Sequence, residues 1–157
     1  YTMWKKARKL SGTSAGVQMI WGIQWDETLK WLIDTGEKTY AEVRSDSTSW
    51  GNYWNNSFTY YTNTSKSTAT KATNRSTRIP SGAYEGTNAN NVFDLAGNVW
   101  DWTLESSDSG AGYGRYFRGG YYGSPGSGGQ ASARNGNQFN PYNSDINIGL
   151  RCTLFIK

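Results

Sequence analysis

The side chains that usually do covalent chemistry are almost missing from this chain. It has no His and a single Cys, Cys152, in 157 residues. No Ser-His-Asp or Cys-His nucleophile, His general base or His-ligated zinc site can be assembled. One Cys makes neither an intramolecular disulfide nor a CxxC site, so a disulfide-stapled secreted domain is excluded. The carboxylates show no pairing that suits acid–base work. What remains is the chemistry of non-covalent contact. Arg118, Arg134 and Arg151 are read as clamps, because a guanidinium among Gly and aromatic residues stacks or is buried more often than it is free. Residues 113–148 are more than half Tyr, Ser, Gly or Asn. That composition suits a binding surface, with Tyr supplying contact area and the small polar residues supplying adaptable hydrogen bonds, and equally a loop-rich, Gly-rich edge of the fold.

Elements must hold these residues in place. Residues 1–10 read as a short amphipathic helix, with Lys5, Lys6, Arg8 and Lys9 on a solvated face, and 11–16 as a turn or linker. Trp25, Leu29, Leu32 and Ile33 recur at helical spacing, predicting a helix over 26–35 that Asp26 caps and Gly36 ends in a left-handed turn. Residues 44–78 are polar and weakly periodic. They predict short strands or loops pinned by Trp50, Tyr53, Trp54, Tyr60 and Tyr61, with 68–78 exposed. Trp100 and Trp102, two apart, share a strand face after a Gly97-Asn98 turn. An apolar strand closes the chain at 152–156.

The composition fits one domain. Eight Trp, 11 Tyr and 5 Phe argue against disorder, which is poor in aromatics. The net charge of +4 is scattered outside the N-terminal cluster, so no contiguous nucleic-acid patch is expected. No apolar run has the roughly 20 residues of a membrane span. Domain organisation reads as an N-terminal helix and linker at 1–16, followed by one domain over 17–157.

Four segments carry a resemblance. They are Phe93-Asp94-Leu95-Ala96-Gly97-Asn98-Val99-Trp100-Asp101-Trp102, Arg118-Gly119-Gly120-Tyr121, Arg134, and Gly149-Leu150-Arg151-Cys152. In order and spacing the chain resembles the formylglycine-generating-enzyme (sulfatase-modifying-factor) family, and within it the variable proteins of diversity-generating retroelements. The stretches at 19–26 and 49–53 share the second likeness. The resemblance implies an α+β, C-type lectin-like fold with a small twisted sheet, few helices and much loop. It implies no required cofactor. A structural calcium is one option, on the Asp94 and Asp101 side chains and the Gly97 and Val99 carbonyls, hard oxygen donors that suit the ion. The alternative is that Asp94 caps a turn and Asp101 pairs with an Arg.

The family's enzymes use a cysteine pair between the RGG and GFR segments to bind copper. The matching interval, 119–148, contains no Cys, and one thiolate cannot build a two-thiolate site. The resemblance therefore implies a non-catalytic binding protein with a diversified region at about 115–151. The positions expected to vary are Tyr116, Tyr122, Ser124, Gly126, Asn135, Gly136, Asn137, Tyr142, Asn143, Asp145, Ile146 and Asn147. Arg118, Gly119, Gly120, Ala131, Arg134, Gly149 and Arg151 are expected to be fixed scaffold. The implied partner is a protein or glycan on a cell surface, with neither nucleic acid nor membrane insertion, and a homo-oligomer is one option. The implied setting is a phage tail or a bacterial surface. The alternatives are the oxidase itself and a fixed carbohydrate-binding module.

Overall fold

The computed structural model describes residues 2–12, 15–106, 114–136 and 145–156. Helix α1 (Thr2–Lys9) turns Ala7 inward, where it is fully buried, and keeps its Lys and Arg side chains in solvent. Strand β1 (Ala15–Met19) pairs antiparallel with the last strand of the chain. Ala15 and Gly16 therefore belong to a strand rather than to the expected linker; the partner strand, distant in sequence, supplies the hydrogen bonds that local composition cannot reveal.

Helix α2 (Gly22–Asp34) buries Trp25, Leu29 and Leu32, as the periodicity predicts. It starts four residues earlier than expected. Its N-terminal turn is closed at Trp21, whose N–H donates to Gln24 Oε1 at 2.9 Å, and not by Asp26. Gly36 ends it as expected, at φ +75° with its N–H on the Ile33 carbonyl. Helix α3 (Tyr40–Arg44) opens on a reciprocal cap between Thr39 and Glu42.

Strands β2 (Phe58–Tyr61) and β3 (Thr68–Lys71) form a hairpin. The expectation of an exposed stretch from residue 68 fails at Lys71, which is 2% exposed. Its ammonium donates to the Asn56 carbonyl at 2.7 Å and to the Tyr53 carbonyl, tying the 53–56 loop to the hairpin. Burial lowers the Lys71 pKa from its ordinary value. Strands β4 (Asn88–Ala89) and β5 (Val92–Phe93) make a tight hairpin, with Asn90 and Asn91 at positive φ in its turn.

The central sheet comprises β6 (Trp100–Ser106), β7 (Arg115–Arg118), β8 (Arg134–Asn135) and β9 (Ile148–Leu150), in the order β8-β7-β6-β9. Only β9 runs parallel to its neighbour. The last strand, β10 (Cys152–Ile156), leaves this sheet for β1. The alternation of β6 separates two cores. Trp100 and Trp102 share one face, as their spacing predicts, and both meet the Phe117 ring edge-on, with centroids 5.1 and 5.3 Å away. Ala7 and Met19 complete that cluster. The other core joins Trp25, Leu29 and Leu32 of α2 with Val43, Trp50, Tyr53, Leu95 and Ala131.

Candidate functional site

Asp101, Thr103 and Glu105 alternate with the tryptophans of β6, so they belong to its opposite face. There the Arg118 guanidinium, 4% exposed, ties α2 to the sheet. It donates to Asp26 at 2.9 Å and to the Ser132 carbonyl at 3.3 Å, and it lies 3.3 Å from Glu105. Asp26 thus serves as an anchor in mid-helix. Glu105 also pairs with Arg134 at 2.6 Å and lies over Gly22, where a Cβ would meet its carboxylate at 2.3 Å. The first residue of α2 is small so that a carboxylate can approach the helix N-terminus.

Past Arg118 the backbone turns through Gly119 and Gly120, at φ +92° and +78°. A Cβ on Gly120 would lie 1.8 Å from the Gly129 carbonyl oxygen, so side chain and conformation are both forbidden there. Ala131 is fully buried, and its carbonyl accepts the Trp25 indole N–H at 3.0 Å. Arg151 donates to the carbonyls of Phe93 and Asp94 at 2.8 and 3.1 Å and to Asp101 at 3.3 Å. The clamp role expected for Arg151 is the one it plays.

The donors expected for calcium lie beside this clamp. Asp94 Oδ2 accepts the Gly82 N–H at 2.9 Å, and Asp101 Oδ2 takes Arg151, which matches the turn-cap and ion-pair alternative. Asp94 Oδ1 is buried with no hydrogen-bond partner among the described residues. Burial pushes the Asp101 carboxyl up, against the pull of Arg151. Of the two carboxylates, Asp94 thus keeps one oxygen open to a cation, while Asp101 is paired with Arg151.

The positions expected to vary fall into two groups. Tyr122, Ser124, Asp145, Ile146 and Asn147 gather near the start of β6. The Tyr122 hydroxyl donates to Asn147 Oδ1 at 2.7 Å, and the Trp100 N–H donates to the Asn147 carbonyl at 2.8 Å. Asp145 Oδ1 accepts the Asn147 N–H at 2.7 Å. Ser124 turns its hydroxyl to the Tyr121 carbonyl, and Ile146 is 71% exposed. Tyr116 and Asn135 form the second group, on β7 and β8. The Tyr116 ring carries the Arg134 guanidinium 3.8 Å above it, and Asn135 is exposed.

Gly126 joins neither group, and Gly136 lies beneath the second, against Tyr116. Both are buried, and a Cβ would meet Thr48 N at 2.4 Å in the first and the Arg115 carbonyl at 2.6 Å in the second. They are places where backbones pack, and composition alone cannot tell such a Gly from a surface one. Asn137, Tyr142 and Asn143 lie outside the described residues.

Three participants escape the sequence reading. Tyr121 stacks on Trp100 with centroids 6.2 Å apart and meets Tyr122 edge-on. Trp54, 39% exposed, donates its backbone N–H to the Ser124 carbonyl. Arg78 donates to the Ile146 carbonyl at 3.0 Å from a segment 68 residues away. Only the aromatic character of Tyr121 and Trp54 was visible in sequence.

Cys152 is exposed. Desolvation and the neighbouring Asp101 push its thiol above the ordinary value, opposite to the direction that activates a nucleophile. Among the described residues, no group of three or more His, Cys, Asp or Glu is placed to hold a metal. No described helix is long and apolar enough to cross a membrane.

The structure is similar to that of Treponema denticola variable protein 1, with a TM-score of 0.55 and 16% identity over 94% of this chain and 50% of that one. It is similar also to CarF, with a TM-score of 0.56 and 17% identity over 94% of this chain and 49% of that one. The chain therefore spans about half the length of each. No curated protein matches it in sequence. The sulfatase-modifying factor enzyme 1-like domain matches residues 4–155. With four motif segments in order, an Arg-Gly-Gly corner that locks helix to sheet and a match along nearly its whole length, the chain belongs to the sulfatase-modifying factor enzyme 1-like domain family and has its C-type lectin-like, loop-rich α+β fold.

Proposed function

We propose that this chain is a non-catalytic ligand-binding protein whose recognition surface is diversified by a retroelement and serves phage receptor binding. The observation that carries the reading is the placement of Tyr122, Asn147, Asp145 and Ile146. They share one face, joined by side-chain and turn hydrogen bonds, beside an Arg118-Gly119-Gly120 corner that tolerates no change. Such a face accepts new side chains without disturbing the cores. The likeness to a variable protein of the same fold supports it. The interval that holds the copper-binding cysteines in the family's enzymes has none here, which supports binding over oxidation.

The test compares sibling genes. Substitutions confined to adenine-derived codons at Tyr122, Ser124 and residues 145–147, next to a near-identical template and a reverse transcriptase, are expected. Uniform variation along the chain would sink the reading. Robust copper-dependent oxidation of a thiol substrate would replace it with the oxidase.

Calcium on the Asp94–Asp101 loop is part of the proposal, with the Asp94 and Asp101 side chains and the Gly97 and Val99 carbonyls as its donors and Asp94 Oδ1 the one left open. Saturating calcium is expected to raise Tm by a few degrees over a chelator control, following the mass-action gain of a native-state ligand. Asp94→Asn removes the gain. A Tm that ignores calcium assigns the loop to Arg151 alone.

A further inference from the structure

Away from the Tyr122–Asn147 face, a groove of about 610 Å³ opens between α2, α3 and the β7–β8 side of the sheet. That is the size of a small-molecule site. Ile33 supplies apolar surface at its rim, over the buried Leu29 and Val43 of the core, and Arg118 and Glu105 line it from the sheet. Two further arginines line it, and each is stacked on a tyrosine. Arg134 lies 3.8 Å above Tyr116, and Arg44 lies 5.4 Å above Tyr40. Stacking occupies the flat face of a guanidinium and leaves its edge donors available for a planar anion.

The charges are unequally committed. Asp26 and Glu105 pair with Arg118 and Arg134, although Glu105 Oε2 is buried with no hydrogen-bond partner among the described residues. Among the described residues, Arg44 has no carboxylate partner. Arg118 Nε is buried there with no hydrogen-bond partner. The groove thus combines an exposed arginine with no carboxylate on it, hydrogen-bonding groups at Glu27, Ser132 and Tyr40, and the apolar side of Ile33.

We propose that this groove binds an acidic sugar, a polyhydroxylated ring bearing a carboxylate. Arg44 takes the carboxylate, with the Arg134 donors that Glu105 leaves free beside it, Glu27 and Ser132 accept from ring hydroxyls, and Ile33 covers a C–H face. A run of acidic peptide residues suits the groove less well, because Glu27, Asp26 and Glu105 would repel the neighbouring acids. The groove is a second site beyond the diversified face, with most contacts on scaffold residues that need not vary.

The experiment is calorimetric titration of the whole chain with galacturonic acid and N-acetylneuraminic acid, with galactose and a Glu-rich peptide as comparison arms. At least one acid sugar is expected to bind tenfold or more tighter than galactose, and more weakly as salt rises. Arg44→Gln is expected to weaken it tenfold or more at unchanged Tm, and Tyr122→Ala to leave it unchanged. Galactose binding as tightly as the acids, tighter binding of the peptide, or indifference to Arg44→Gln would overturn the proposal. So would loss of binding in Tyr122→Ala, which moves the site to the diversified face. Silence from every probe overturns the groove alone, since the sibling-gene comparison tests diversification independently.

Discussion

The Arg118-Gly120 corner and the Tyr122–Asn147 face are nearly adjacent in the chain and are built on opposite rules. At the corner, each atom has one place. Arg118 spans helix and sheet, and Gly120 packs so closely on Gly129 that a methyl group has nowhere to go. On the face, Tyr122 and Asn147 hold each other by a side-chain hydrogen bond, and Ile146 stands in solvent. Changing a face residue alters what is displayed, whereas changing a corner residue alters what is folded. A fold can carry a variable surface only if these two kinds of position are kept apart, and here two residues of chain suffice.

The largest effect is expected at Gly120. Gly120→Ala adds a Cβ against a backbone oxygen at positive φ and is expected to cost about 4 kcal/mol or more, read by denaturant unfolding. A mild loss would mean that the corner is plastic. Arg151→Met comes next. It leaves Asp101 buried without its cation, a loss of about 3–5 kcal/mol. Adding Asp101→Asn should recover much of it, and a double variant no better than the single would detach Arg151 from that pair. Gly126 sharpens the boundary between the regions. Gly126→Ser is expected to cost about 2 kcal/mol through overpacking against Thr48, while Ile146→Ser on the face stays within about 0.5 kcal/mol. Equal costs would erase the distinction.

The smallest effect lies outside both regions. The Thr39 backbone and hydroxyl hold the Glu42 carboxyl below its ordinary range. Its contribution is therefore present above the unfolded value, near 4.5, and is lost as pH falls through the lower folded value. Glu42→Ala should cost about 0.5 kcal/mol or less at neutral pH, given solvent screening, and nothing in strong acid. A pH-independent cost would assign the loss to the packing of the Glu42 side chain rather than to its charge.

Much of this was legible because the signals were local. The Trp100/Trp102 face, the core side of α2 and the Gly36 terminator each follow from spacing or from one residue's conformational freedom. The start of α2 was misplaced because Trp21 and Gln24 close the first turn without an ordinary capping residue. Lys71 was missed because its partners are backbone carbonyls of another loop. In the variable region, composition identified a Tyr- and Asn-rich surface but counted Gly126 and Gly136 as part of it, although both are backbone contacts.

By itself, the sequence determined the chemistry that is missing, the order of the family's motifs and the alternation that puts tryptophans on one face of β6. Those depend on residue identity and on neighbours a few positions away. Tertiary structure alone sets which polar residues share a surface, which glycines are pinned between backbones and which arginines meet an acid. Each of those depends on segments tens of residues apart meeting at a few ångströms, as Arg118 meets Asp26 and Arg78 meets Ile146.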